Sequence, residues 1–276
     1  MCQLLGMNCN TPADVTFSFR GFAQRGGNTD QHADGWGIAF FEGLKREEGG
    51  DAAADDRGLR HFVDHQPACS SPVAELISHY PIKSRNVISH IRKATQGRVA
   101  LENCHPFVRE LWGRYWVFAH NGDLKDFNPR LHGSFRPVGT TDSERAFCWI
   151  MQEMAKSHAG VPSIHELSIT LRELAAQIAS HGTFNFLLSN GQALWAHAST
   201  KPGSPGLYYV ERKHPFAHAT LSDEDVSVNF AEHTSPTDRV AVVVTAPLTS
   251  NESWTAFAPG ELKVFEGGAL ADIAII

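Results

Sequence analysis

The run Val240-Ala-Val-Val-Val-Thr-Ala246 constrains the fold more than any other part of the chain. A strand with one face in water alternates apolar and polar side chains. This run does not alternate, so it reads as a strand covered on both faces. Other strand-like runs are Gln3–Met7, Gly35–Phe41, Asn86–Ile91, Tyr115–His120, Thr183–Ser189, Ala193–Ala198, Leu207–Glu211 and Glu261–Phe265. Two long helices announce themselves by a hydroxyl residue with Glu three positions later: Thr141 with Glu144, and Ser163 with Glu166. Gly182 stops the second. A shorter helix fits Ser71–His79. Strands and helices do not alternate strictly, so the expected class is α+β with mainly antiparallel sheets. Periodicity does not specify how the sheets stack. The stretch 43–60, charged and rich in Gly, Ala and Asp, reads as an exposed loop between strand-like segments.

Composition narrows the function classes. With 42% hydrophobic and 20% charged residues among 276, the chain can bury a sizeable core. A net charge of −6 lacks the basic footprint of a nucleic-acid binder. No stretch approaches the roughly 18 apolar residues of a membrane helix, and the start MCQLLGMNCN is not built like a signal peptide. Five scattered cysteines without a CxxC pair argue against a disulfide framework and a zinc ribbon, and point to reduced thiols in the cytoplasm. No P-loop or complete GxGxxG is present, so no nucleotide cofactor is expected. His61 and His65, at i and i+4, could share one helix face. No third ligand accompanies them, and Cys104-His105 before Pro106 reads as a turn, so no metal is expected.

The chemistry starts at the second residue. If the initiator Met is removed, Cys2 carries a thiol and a free α-amine. An amine of pKa about 7.7–8.0 can serve as base for its own side chain at neutral pH. Four further segments stand out: Arg25-Gly-Gly leading to Asp34-Gly-Trp-Gly, His90-Ile-Arg92-Lys-Ala-Thr95, His120-Asn121-Gly122, and Thr140-Thr-Asp142-Ser-Glu144. Each also has a plain structural reading. Cys2 could open a strand, Arg92 could join a surface ion pair, Asn121-Gly122 could be a hairpin turn closing a strand, and Asp142 could complement a helix dipole.

Together, Cys2, RGG…DGWGIAF, HIRKATQG, NCHPF, FAHNG and TTDSE resemble the glutaminase domain of class II glutamine amidotransferases, in the style of the stand-alone YafJ-like members. The motifs span Cys2 to Glu144. The resemblance implies one glutaminase domain over 1–276 with an Ntn-hydrolase fold, a four-layer αββα sandwich of two antiparallel sheets. It implies Cys2 as nucleophile, with Asn121 and Gly122 as the oxyanion hole. Arg92 would grip the glutamine α-carboxylate and Asp142 the α-ammonium. Thr95 would line the substrate pocket, and Arg25 would belong to a turn near the nucleophile. Lys93 and Gln96 depart from the hexosamine-synthesising relatives, which carry Trp and His there. The implied substrate is glutamine or another γ-glutamyl amide, with no cofactor, no nucleic acid and no membrane. A chain ending at Ile276 leaves the ammonia acceptor to a separate synthase subunit. The alternatives are an amidohydrolase of a γ-glutamyl conjugate, as in ergothioneine-pathway relatives, and a catalytically silent glutamine-binding subunit. The oligomeric state stays open, a homo-oligomer included.

Overall fold

The computed structural model describes residues 2–42 and 58–272. In chain order the first strands are β1 (Gln3–Asp14), β2 (Trp36–Glu42), β3 (Gly58–Asp64), β4 (Lys83–Ile91), β5 (Phe107–Leu111) and β6 (Arg114–Leu124). Then come β7 (Gly182–Ser189), β8 (Ala193–His197), β9 (Tyr208–Lys213), β10 (His218–Thr220) and β11 (Ser227–Asn229). The last are β12 (Arg239–Val244), β13 (Thr255–Ala256), β14 (Leu262–Glu266) and β15 (Ala269–Leu270). The α-helices are α1 (Thr16–Gln24), α2 (Pro72–His79), α3 (Asp142–Ser157) and α4 (Ile164–Ala179).

The strands build two large antiparallel sheets. The first runs β13-β9-β12-β1-β4-β2-β3 and the second β15-β14-β8-β7-β6-β5; β10 and β11 form a separate hairpin. Side-chain alternation sorts the apolar residues into three cores. Leu5, Met7, Trp36, Val242 and Val244 leave one face of the first sheet and pack with Phe19 and Phe22 of α1 and Ile77 of α2. Leu4, Ala241 and Val243 leave its other face and meet Val117, Ala119, Leu187 and Leu194 of the second sheet. Trp116, Phe118, Phe184 and Trp195 leave the far face of the second sheet and pack under α3 and α4. The order is therefore helices, sheet, sheet, helices. The fold is the αββα sandwich of the Ntn hydrolases, and β12 is covered on both faces as its unbroken apolar run requires.

Local sequence explains the helices unequally. In α3, Ala146, Phe147, Ile150, Met151 and Met154 recur at helical spacing and are buried. Phe147 stacks on Phe118 at 4.9 Å between centroids. Burying one such ring contributes roughly 1.5–3 kcal/mol. Ser163 and Glu166 close a reciprocal capping box at α4. At α3 only half of that box exists. Thr141 accepts from the Glu144 N–H, but the Glu144 carboxylate turns to Arg109 and to the N–H groups of Val138 and Gly139. Helix α1, which the sequence reading omitted, has no side-chain N-cap; Phe19, Phe22 and Ala23 are buried.

Three local expectations need correction. Residues 58–60, assigned to the exposed loop, belong to β3, which pairs with β2 from Trp36↔Asp64 to Glu42↔Gly58; residues 43–57 of that loop lie outside the described residues. His61 lies in β3 and His65 just past its end, so the pair is not on a helix. In an extended chain, positions four apart are separated by roughly 13 Å. Cys104-His105 is more than a turn: His105 is buried and its ring packs on His90 at 4.1 Å.

Candidate active site

Cys2 immediately precedes β1. Alternation gives it the face of Leu4 and Gly6, toward the second sheet. The sheets approach closely there: a Cβ on Gly6 would meet Leu194 and Leu187 side-chain atoms at 2.9 and 3.0 Å. The Cys2 side chain is held by the residue after Arg92. Its Sγ lies 3.4 Å from both the N–H and the carbonyl oxygen of Lys93. Burial pushes the thiol above its ordinary value; the Lys93 N–H and the Arg92 charge pull it down, and Asp142 pushes it up. At neutral pH the group is a thiol, so it would need a base to act as a nucleophile.

Asn121 comes from the second sheet. It shares the face of Val117 and Ala119, which points toward the first sheet. It is not at a strand end: β6 continues to Leu124, and Asn121 and Gly122 pair with Asn185 and Phe184. Asn121 Nδ2 lies 3.5 Å from Thr245 Oγ1, which also accepts the Leu4 N–H at 3.0 Å. Thr245 thus joins the strand that follows Cys2 to the side chain of Asn121. Of the two Nδ2 hydrogens, one faces Thr245, while Asn121 Oδ1 is buried without a partner. Gly122 is required by contact rather than by a turn, because a Cβ there would collide with the Thr183 carbonyl and the His120 ring. The hairpin-turn reading of Asn121-Gly122 is thereby replaced.

Asp142 opens α3. Its Oδ2 accepts the Leu124 N–H at 2.8 Å, tying the helix start to the end of β6. Beside it lies a cleft of about 370 Å³, lined by Gln96, Leu124, Lys125, Phe127, Asp142 and Arg145. Gln96, from the loop after Arg92, donates to Asp123 Oδ1 and the Leu124 carbonyl. Thr95 is exposed on the same loop.

The two arginines are placed differently from these groups. The Arg92 guanidinium is buried and donates to four main-chain carbonyls, those of Asp34, Arg98, Gln96 and Gly97. It holds the 94–98 loop against the Asp34-Gly35 turn. Gly35 takes φ +116°, and a Cβ there would strike Cys104 Sγ and the Asp64 carbonyl. Arg25, at the end of α1, pairs with Asp223 and donates to the carbonyls of Ala246 and Pro247. It braces the segment just after Thr245. Sequence reading missed Thr245 and gave no separate role to Asp34, whose carboxylate also accepts the Ala94 N–H. The available signals were a polar residue ending an apolar strand and an acid inside the DGWG turn. Among the described residues, no group of three or more His, Cys, Asp or Glu side chains could hold a metal ion.

Over residues 1–275 the sequence matches the family model of class II glutamine amidotransferases. The chain belongs to that family. It is 48% identical over 268 residues to a Haemophilus influenzae protein named "Putative glutamine amidotransferase", covering 97% of this chain and 85% of that one. It is 46% identical to the Escherichia coli protein named "Putative glutamine amidotransferase YafJ", covering 96% and 97% of the two chains. A Pseudomonas aeruginosa crystal structure described as a predicted glutamine amidotransferase superimposes with a TM-score of 0.74 at 40% identity, covering 98% and 99%. Among the described residues, no helix is long and apolar enough to cross a membrane.

Proposed function

We propose that this class II amidotransferase hydrolyses the side-chain amide of glutamine to glutamate and ammonia through a thioester on Cys2. The observation that supports the reading is that Cys2 and Asn121 lie on the two facing sides of the inter-sheet space, with Thr245 bonded both to Asn121 and to Leu4, two residues after Cys2. In the processed chain the α-amine of Cys2 takes the thiol proton, which burial otherwise keeps on sulfur. The thiolate attacks the amide carbon, and the oxyanion receives the second Nδ2 hydrogen of Asn121 and the Gly122 N–H. The α-amine returns the proton to the leaving ammonia, and water then releases glutamate. Asp142 pairs the substrate α-ammonium. Arg92 can pair the α-carboxylate only by exchanging carbonyl partners for it.

The test is to incubate processed protein with glutamine and assay glutamate and ammonia separately, with hydroxylamine present in a parallel reaction. Equal release of both products, and γ-glutamyl hydroxamate in the trap, are expected. Absence of both products overturns glutamine as the substrate. Product without hydroxamate, or in protein retaining Met1, overturns the Cys2 thioester. A parallel screen of γ-glutamyl amides separates glutamine from the conjugate alternative.

A further inference from the structure

His120 is buried one residue before Asn121, and no step above uses it. Its neighbours in the strand point toward the first sheet; the His120 ring points the other way, under α3. There its Nε2 lies 3.1 Å from the Thr183 carbonyl and its Nδ1 2.8 Å from Ser143 Oγ. A carbonyl can only accept, so Nε2 carries a hydrogen. Burial holds the imidazole below its ordinary pKa, against the pull of Asp142, the Thr183 carbonyl and Asp123. A neutral ring with hydrogen on Nε2 leaves Nδ1 as a bare acceptor.

Ser143 then has one hydrogen and two claimants. His120 Nδ1 is at 2.8 Å and Asp142 Oδ1 at 3.4 Å. The shorter contact, to an atom that can only accept, takes it. Asp142 meanwhile receives the Leu124 N–H on Oδ2. Oδ1 is left with its lone pairs free of a donated hydrogen. If Nδ1 were protonated or absent, the same hydroxyl would turn its hydrogen onto Oδ1 and compete with any cation there.

We propose that His120 is a positioning residue that keeps the Ser143 hydroxyl from donating to Asp142, so that Oδ1 stays open to the substrate ammonium. This rests on the assignment of Asp142 to the α-ammonium. It also makes one strand serve both ends of the substrate. Asn121 faces the reacting amide on one side of β6, and His120 prepares the recognition acid on the other.

The test is a pair of variants read by KM and kcat for glutamine. His120→Phe keeps a ring among Phe184 and Phe186 and removes the acceptor. The freed hydroxyl should raise KM roughly 10- to 100-fold, the worth of one hydrogen bond to a charged group, with a smaller change in kcat. Adding Ser143→Ala removes that hydroxyl and should bring KM back toward the parent. A purely structural role predicts no such recovery, so a double variant as poor as or worse than His120→Phe overturns the proposal. ¹⁵N NMR of the parent imidazole provides a readout independent of turnover and of how the variants fold. A neutral ring with hydrogen on Nε2 is expected; an imidazolium or an Nδ1–H tautomer at pH 7 overturns the proposal. If the parent does not hydrolyse glutamine but the tautomer is as expected, the substrate reading fails while the hydroxyl orientation stands.

Discussion

The two arginines and the Asn121–Asp142 pair of the candidate site use their polar atoms in opposite ways. Arg92, just after β4, gives its fork to four carbonyls, and Arg25, at the end of α1, gives its own to one carboxylate and two carbonyls. These guanidiniums are consumed by the chain itself. Asn121 Oδ1, on the second sheet, has no partner, and Asp142 Oδ1, at the start of α3, has only the 3.4 Å neighbour Ser143; Gln3 Oε1 and Trp36 Nε1 on the first sheet are buried without partners as well. Buried polar atoms without partners are costly and uncommon. The difference teaches that saturated guanidiniums hold the loops that frame the candidate site, while its amide and carboxylate keep hydrogen-bonding capacity to spare.

Variants can break or sharpen that contrast. Cys2→Ala should abolish glutamate release with little change in Tm, since the thiol fills little volume; activity assays beside a thermal melt check it, and residual turnover would point to another nucleophile. Asn121→Ala should lower kcat by roughly 10²–10³, about 2.7–4 kcal/mol, and leave KM nearly unchanged. A normal kcat with a lowered Tm would place Asn121 in the scaffold instead. Asp142→Asn keeps an acceptor for the Leu124 N–H but removes the charge. It should reduce kcat/KM by roughly 1.5–3 kcal/mol, mostly through KM. Arg92→Lys is the smallest and the most discriminating. An ammonium cannot serve four diverging carbonyls, so a stability loss of about 1–2 kcal/mol, or roughly 2–8 °C in Tm, is expected. A large KM increase at unchanged Tm would group Arg92 with Asn121 and Asp142 instead.

Much of this was legible because it is written locally. The Ser163–Glu166 cap, the periodic face of α3 and the unbroken apolar run of β12 each depend on neighbours in sequence. Helix α1 was not legible. Its Gly21 makes it a poor helix by propensity, and the neighbour it packs against, the Leu221 side chain, lies two hundred residues away. Strand β3 was obscured by the charged stretch before it. The site motifs were visible as residues, but their partners were not. Whether Arg92 faces a ligand or four carbonyls depends on how the 94–98 loop folds back. The role of Gly122 depends on Thr183, in a strand about sixty residues later.

The position of β1 between β4 and β12 also has a consequence in time. The strand that follows Cys2 leaves the ribosome long before one of its two flanking partners, which comes from Arg239–Val244. Thr245, which clasps Leu4 and Asn121, is the very next residue. At about 5–20 residues per second, roughly 10–50 s of synthesis separate the two ends of that clasp. The clasp is therefore completed only when the chain has emerged beyond Thr245. A nascent chain, or one truncated before Arg239, carries Cys2 but not the strand and the threonine that enclose its neighbours.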